Sequence, residues 1–461
     1  MRTGAALVAL GVLVAVVAGL GVTARATYGA QLTADEPQYL LTAVSLARDG
    51  DLDIADELRE EVWRDFHAAD LPEQTRERPD GSRLSPHDPL LPVLLVPAVR
   101  VADATGLPAW VLARTTLALL AGLAASLTAW VAVRRLAVPV VPALVVTASF
   151  ALSPPLVVYA TQLYPELPAA LAVVTALGCL LGRPRRGAAV ALGLVVVALP
   201  WLAVKYALVA AVLAGAALWW LRRDRPALAL WAVGVGLAGL HWLWFHLAVY
   251  GGLTAYAAGD YFEGGSVSAT GPDPAYLART QRLVGLLLDR DFGLLPWAPV
   301  FLLVPLVVAW ALRRRGPGHP LLLAVLAAGW VVATWVAQTM HGWWWPGRQL
   351  VVVLPALVLL AAAWVAAGRG RVRPGVTAAL GVLGLGAFLT LAVATSTGVH
   401  TLVVDFSRTP WPVYRALRPL LPDLTTPGPA TVALVAAWTL GLLALAVVGW
   451  RSGRRSPRQP R

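Results

Sequence analysis

Residues 187–221 read GAAVALGLVVVALPWLAVKYALVAAVLAGAALWWL, and Lys205 is the only charged side chain among them. As a single helix this run would be about 52 Å long at 1.5 Å per residue, too long for one membrane span. Arginine clusters flank it on both sides: Arg183, Arg185 and Arg186 before it, and Arg222, Arg223 and Arg225 after it. Because positive residues in short loops stay cytoplasmic, the run must cross twice. It therefore predicts a helical hairpin whose outer turn, 200–205, carries Lys205.

The composition of the whole chain agrees with this hairpin. The 461 residues are 58% hydrophobic and 13% charged, with a mean hydropathy of +0.69. Soluble domains contain about 25% charged residues, and apolar runs of roughly 17–25 residues, the length of a membrane span, recur throughout this sequence. Since lipid-exposed backbone must be hydrogen-bonded within its own helix, the fold class predicted is an all-α polytopic membrane protein.

Arginine clusters between the other apolar runs extend the same parity argument along the chain. Each pair of consecutive clusters must be separated by an even number of crossings, which places both termini in the cytoplasm. The net charge of +12 therefore indicates which loops are cytoplasmic, and nucleic acid is not an expected partner. Twelve membrane helices are predicted, at 4–22, 108–133, 138–158, 165–182, 187–201, 204–221, 226–249, 293–312, 319–340, 349–367, 374–395 and 430–450.

Three segments remain on the outer side: 23–107, 250–292 and 396–429. We treat 1–450 as one transmembrane domain and 451–461 as a basic cytoplasmic tail. In the first outer segment, residues 36–50 have apolar side chains at helical spacing, which predicts an amphipathic helix on the outer leaflet. The proline-broken apolar stretch at 86–103 is expected to lie along the interface rather than cross. Alternatively, the first helix is a signal peptide cleaved after Ala24-Arg25-Ala26, which leaves the same segments outside.

Adjacent carboxylates and isolated cations share this outer face. Asp35 and Glu36, in ADEPQYL (34–40), follow the first helix directly. Lys205 is the sole lysine of the chain, and Arg348 follows three consecutive tryptophans at the outer start of a helix. Ionisable groups at such depth are costly and are commonly functional, and paired N–H donors of arginine suit phosphate. The alternatives are a snorkelling lysine and an aromatic belt at the interface.

Other polar side chains of the outer face are weaker candidates for substrate binding, with a solvated or structural role as the main alternative. They are His87, Asp88, Tyr164, Glu166, His341 and Trp345. The charges at 279–291 are expected to form ion pairs with one another. No dedicated metal site is assigned. Asp49, Asp51, Asp53 and Glu60 occupy positions 1, 3, 5 and 12 of a calcium loop, but Ile54 stands where that loop requires glycine.

A lipid-linked donor would account for this gathering of acid and base beside the membrane. Lys205 and Arg348 would hold a donor phosphate and stabilise it as a leaving group, and Asp35 would accept a proton from an attacking hydroxyl. Glu36 would orient the acceptor or help to bind a divalent cation such as Mg²⁺ or Mn²⁺. No phosphate-binding glycine motif follows a strand, so nucleoside triphosphates are not expected to drive the reaction.

Several stretches resemble the GT-C glycosyltransferases, which use polyprenyl-phosphate sugars and include protein O-mannosyltransferases and lipid A aminoarabinose transferases. DEPQYLLTAVSLARDGDLDIAD (35–56) resembles their Asp-Glu motif and juxtamembrane helix, and PHDPLLPVLLVPAVRVADATGLPAWVLAR (86–114) resembles their second juxtamembrane stretch. GLLLDRDFGLLPWAPVFLLV (285–304) and WWWPGRQLVVVLPALVLL (343–360) are similar to later signatures of uncharacterised bacterial relatives. The resemblance covers roughly residues 1–370.

The resemblance implies an inverting sugar transfer on the outer face of the cytoplasmic membrane, to an envelope glycan, lipid or protein. It implies Asp35 as catalytic base, Glu36 as its catalytic neighbour, and Lys205 and Arg348 as contacts of the donor phosphate. His87-Asp88 stands where many members have a lysine before the prolines, which leaves the contacts of the donor sugar open. We also expect no soluble domain after the last helix, and therefore no separate module for acceptor recognition.

Two readings from other functional classes compete with a transferase. A flippase or transporter of a lipid-linked sugar would use the same lipid partner, but transporters commonly carry inverted repeats, and we find none here. A non-catalytic protein of envelope assembly would keep the fold and lose the chemistry. Ionisable residues gathered on one face favour the transferase over alternating access.

Overall fold

The computed structural model describes residues 2–259, 274–368, 370–403, 406–426 and 428–454. Within these ranges the chain is helical, and its only β pairings are isolated bridges. Parts of the second and third outer segments and of the basic tail therefore lie outside the described residues.

The α-helices are numbered along the chain. They are α1 (Arg2–Gly19), α2 (Glu36–Arg48), α3 (Ala55–Arg59), α4 (Leu90–Thr105), α5 (Ala109–Arg135), α6 (Val140–Ala151), α7 (Leu156–Tyr159), α8 (Glu166–Leu180), α9 (Arg186–Leu202), α10 (Ala207–Leu221), α11 (Arg225–Phe245), α12 (Tyr276–Arg279), α13 (Arg282–Leu288), α14 (Leu303–Arg314), α15 (His319–Val331), α16 (Leu354–Ala366), α17 (Val372–Ser396), α18 (Pro412–Leu417) and α19 (Pro429–Ser452). Short 3₁₀ or π turns occupy Val62–Asp65, Val204–Tyr206, His246–Tyr250, Ala255–Ala258, Pro299–Leu302, Val332–Val336, Arg348–Val353, Phe406–Arg408 and Arg418–Leu420.

Each of the twelve predicted membrane helices has a helical counterpart among α1, α5, α6, α8–α11, α14–α17 and α19. Among the described residues, seven helical stretches are at least 18 residues long and apolar enough to cross a membrane. They are Ala109–Arg135, Val204–Leu221, Arg225–Ala258, His319–Val336, Arg348–Ala366, Val372–Ser396 and Pro429–Ser452. Shorter apolar helices include Thr3–Gly19, Val140–Ala151, Glu166–Leu180 and Arg186–Leu202. The protein is thus an all-α polytopic membrane protein, as predicted.

Prolines explain where the predicted bounds were wrong. The helix predicted at 138–158 ends at Ala151, and the chain turns through Pro154 and Pro155 before α7, because proline has no N–H to continue the helix. The helix predicted at 293–312 begins only at Leu303, after a 3₁₀ turn that starts at Pro299.

The helix predicted at 36–50 is present as α2, but its environment differs from the prediction. Residues Glu36 through Ser45 are all buried, including the polar Gln38 and Thr42. One side packs on α4, so α2 is enclosed by protein instead of resting on a lipid surface. Elsewhere α1 lies along α5, α5 contacts α8, and α14 contacts α19. The helix α2, which directly follows Asp35, is consequently held by the protein core.

Candidate active site

A buried arginine fixes the chain that leads from α1 to α2. Arg114, on α5, is fully buried. Its guanidinium donates hydrogen bonds to the carbonyl oxygens of Val22 (2.8 Å), Ala24 (2.7 Å) and Gln31 (2.5 Å). Bonds from a charged donor are stronger than neutral ones, so this side chain clamps the segment just before Asp35. The sequence analysis assigned Arg114 no role.

Glu36 fastens the start of α2 to the turn between α7 and α8. Its Oε1 accepts the N–H of Leu163 at 2.8 Å, and its Oε2 accepts the N–H of Thr33 at 3.3 Å. Arg114 lies 4.0 Å from the same carboxylate, and burial raises the pKa of Glu36 despite these partners. Both oxygens are therefore engaged inside the protein, and neither is free to orient an acceptor or hold a metal. The divalent cation stays a prediction, without Glu36 as its ligand.

Asp35 follows a strained residue and contacts an arginine. Ala34 has φ of 53°, a left-handed conformation that costs an alanine roughly 1 kcal/mol or more, and Gln74 donates to its carbonyl at 2.9 Å. The Oδ2 of Asp35 lies 2.8 Å from Nη2 of Arg348, and its Oδ1 lies 3.9 Å from Nε2 of His87. Burial alone would raise the pKa of Asp35, but Arg348, His87 and Lys205 hold it below its usual range.

Lys205 and Arg348 share one buried carboxylate. Oε1 of Glu166 lies 2.7 Å from Nζ of Lys205 and 2.9 Å from Nε of Arg348. The guanidinium also stacks over the ring of Tyr164 at 3.9 Å, a cation–π contact, and Lys205 donates to Gln349 at 3.1 Å. Glu166 and Tyr164 are fully buried, so they contact the cations and not the solvent. We call Asp35, Glu166, Lys205 and Arg348 the cavity cluster.

Three members of the cavity cluster, Asp35, Lys205 and Arg348, line a cavity of about 150 Å³. Its lining joins the first outer segment to the turns before α8, α10 and α16. The lining residues are Asp35, Tyr39, His87, Asp88, Pro165, Ala203, Lys205, Tyr256, Ala337, Gln338, Thr339, Trp344, Arg348 and Gln349. The three residues on which the sequence analysis depended most, Asp35, Lys205 and Arg348, therefore meet in one cavity.

His87 and Asp88 also line this cavity, and both have protein partners. The ring of His87 stacks on Tyr39 at 4.7 Å, and burial lowers its pKa, which favours the neutral imidazole. Asp88 accepts the N–H of Val204 at 3.0 Å and contacts Nε2 of His246 at 2.9 Å. Asp88 thereby holds the turn that presents Lys205, a role that the sequence did not suggest.

His341 and Trp345 do not line the cavity, in contrast to their prediction as substrate contacts. Nε2 of His341 lies 3.5 Å from Asp289, and its ring meets Phe292 edge to face. Trp345 is fully buried against Trp297, since Pro346 and Gly347 turn the chain between it and Arg348. Sequence reasoning missed three aromatic lining residues, Tyr39, Tyr256 and Trp344; only Trp344 carried a signal, as part of the tryptophan run.

No protein-family model and no curated protein matches the sequence. Among solved structures, ArnT from Cupriavidus metallidurans bound to undecaprenyl phosphate is similar, with a TM-score of 0.54 and 19% identity. The match covers 97% of this chain and 76% of that one. The apo state of the same protein matches over the same shares, with a TM-score of 0.49. The chain thus shares its fold with this ArnT structure.

Proposed function

We propose that this chain, with its GT-C fold, is a membrane glycosyltransferase that uses a polyprenyl-phosphate sugar as donor. The acceptor is an envelope glycan, lipid or protein, and transfer occurs on the outer face of the cytoplasmic membrane. Two findings support the proposal. The fold is that of a protein whose structure holds undecaprenyl phosphate, and the cavity brings the carboxylate of Asp35 together with two cations, Lys205 and Arg348.

The ion pair between Asp35 and Arg348, at 2.8 Å, is the observation that carries the proposal. Without a donor, one N–H group of Arg348 contacts Asp35, the residue assigned as base. A phosphate oxygen is an equally good partner for that guanidinium and would displace the carboxylate. Asp35 would then lose the cation that lowers its pKa and become a stronger base. Donor binding therefore prepares the base.

The residues of the cavity account for the proton and the leaving group of the transfer step. The acceptor hydroxyl oxygen attacks the anomeric carbon from the face opposite the phosphate, and its proton passes to Asp35. The bond between the anomeric carbon and the phosphate oxygen breaks, and the electron pair leaves with polyprenyl phosphate. The phosphate changes from a singly charged diester to a monoester with greater negative charge, which Lys205 and Arg348 stabilise. The sugar product has inverted configuration.

The arginine clusters define the proposed orientation. With both termini in the cytoplasm, the cavity opens on the outer side, where a polyprenyl chain can remain among membrane lipids while its head group enters. Cysteine introduced at position 65, an exposed residue of the first outer segment, should react with a membrane-impermeant maleimide in intact cells. Protection at this position would contradict the orientation.

The test of function is transfer by the full chain reconstituted in vesicles, with radiolabelled polyprenyl-phosphate mannose or arabinose and a membrane extract as acceptor. Asp35→Asn removes the base and keeps the shape, so we expect transfer to fall by about 10²–10⁴-fold. Asp65→Asn, an exposed aspartate of the same segment, is the matched control and should keep the wild-type rate.

Three other outcomes would count against the proposal. Unchanged transfer in Asp35→Asn would remove Asp35 as base. Movement of the labelled lipid between leaflets, without transfer, would favour the flippase. Binding with neither transfer nor movement would favour a non-catalytic role in envelope assembly.

A further inference from the structure

A second group of carboxylates lies at the other end of α2, away from the cavity. Asp49 follows α2, and Asp56 and Glu57 belong to α3. Each offers an oxygen, and these oxygens all lie within 4.8 Å of one another. The calcium-like spacing in the sequence singled out this loop but named a different set: Asp49, Asp51, Asp53 and Glu60.

Asp51 and Asp53 are occupied in shaping the loop. Oδ1 of Asp51 accepts the hydroxyl of Ser45 at 2.9 Å and the N–H of Asp53 at 3.0 Å. Oδ1 of Asp53 accepts the N–H groups of Ala55 at 3.0 Å and Arg83 at 2.7 Å. These bonds fold the loop back so that Asp49 meets the start of α3. The two residues thus form the scaffold of the group and are not members of it.

Glu57 has a buried carboxylate oxygen that lacks a partner. Its side chain is 3% exposed, and its Oε2 is buried with no hydrogen-bond partner in the described structure. Arg48, which adjoins Asp49 in the sequence, pairs with Asp103 at 2.8 Å. Buried carboxylates are normally paired, hydrogen-bonded or bound to a metal, so this one calls for a partner.

We propose that Asp49, Asp56 and Glu57 bind a divalent cation, Ca²⁺. Calcium takes six to eight oxygen ligands at about 2.4 Å, so two ligands on opposite sides of one ion lie about 4.8 Å apart. The measured limit of 4.8 Å therefore fits three oxygens around a single ion. Asp49 is exposed, which leaves room for water to complete the coordination shell. Calcium tolerates such irregular and partly hydrated sites better than Mg²⁺ does.

Bound calcium would tie the end of α2 to α3. Since Asp35 lies at the beginning of α2, the ion would stabilise the helix that carries the catalytic base without touching the cavity. This site does not rest on the proposed transferase function, because its ligands and its effect on stability are independent of any sugar.

The test uses the purified full chain in detergent, titrated calorimetrically with CaCl₂. We expect saturable binding of one ion per chain and a higher thermal midpoint. Glu57→Gln should abolish binding. Glu60→Gln, which alters the last position of the sequence pattern, should bind as the wild type does.

Stability without calcium separates loss of the site from failure to fold. Without calcium, Glu57→Gln should be at least as stable as the wild type, because the amide removes a buried carboxylate oxygen that has no partner. Added CaCl₂ should raise the thermal midpoint of the wild type and leave that of Glu57→Gln unchanged. Absence of saturable binding in the wild type, or retention of binding in Glu57→Gln, would overturn the proposal.

Discussion

Two clusters of charged residues in the protein have opposite characters. The cavity cluster joins residues that are far apart in the sequence around an open cavity. A second cluster, which we call the loop cluster, joins Arg290 to Asp423 at 2.6 Å and Asp291 to Arg418 at 3.1 Å. Tyr414 donates a further bond to Asp291 at 2.6 Å. The loop cluster thus satisfies its charges internally and fastens the second outer segment to the third.

The difference shows that crowding of charges in a sequence does not locate a functional site. The charges at 279–291 were expected to pair mutually, but within that stretch only Arg290 and Asp291 approach each other, at 3.6 Å. Their stronger partners come from the third outer segment. In the cavity cluster, Glu166 contacts both cations and Arg348 also pairs with Asp35, so an anionic ligand can be accepted there by displacing Asp35.

Among the variants that test this difference, Glu166→Gln should have the largest effect on stability. It leaves Lys205 and Arg348 without their shared buried anion, and removing one partner of a buried ion pair costs about 3–5 kcal/mol. We expect a large drop in the thermal midpoint of the purified protein. Undecaprenyl phosphate should restore more stability to this variant than to the wild type, since its phosphate replaces the missing anion. An equal ligand-induced rise in both proteins would contradict the role given to Glu166.

Asp291→Asn tests the loop cluster with a smaller effect. Its ion pairs are partly exposed, so their loss should cost about 1 kcal/mol of stability. The rate of sugar transfer should stay within about twofold of the wild type, and undecaprenyl phosphate should not restore the lost stability. A loss of transfer comparable to that of Asp35→Asn would place the loop cluster in the reaction.

Ala34→Gly should have the smallest effect on stability. Glycine relieves the left-handed strain before Asp35, but it gives the unfolded chain more freedom, so the net change should stay within about 1 kcal/mol. Ala137, with φ of 54° and no place in the cavity, is the matched control. Both variants should change the thermal midpoint alike, whereas only Ala34→Gly should reduce transfer. Equal transfer rates in the two variants would show that the strain does not position Asp35.

Much of the fold could be predicted because membrane helices depend on local features. Apolar length and arginine parity were enough to place twelve helices, including the hairpin around Lys205. The breaks at Pro154 and Pro299 were not placed, because a proline can either kink a helix or end it, and neighbouring helices decide which. The burial of α2 was likewise invisible, since its polar residues resemble a solvated face.

The site was predictable where a residue stood out from its surroundings. Lys205 is the only charge in a long apolar run, and Asp35 and Arg348 lie at helix starts on the outer face. The different roles of the acidic residues could not be predicted from the sequence in the same way. Glu36 and Glu166 differ from Asp35 only in facing inward, which depends on packing between segments distant in the sequence.

Binding of undecaprenyl phosphate tests the central claim most directly, namely that Asp35 and the donor phosphate compete for Arg348. The dissociation constant should be measured for the wild type, Arg348→Gln and Asp35→Asn in detergent at equal salt. The account predicts weaker binding in Arg348→Gln, and binding at least as tight as the wild type in Asp35→Asn, together with loss of transfer in the latter. Weakening of binding in Asp35→Asn to the level of Arg348→Gln would contradict the account.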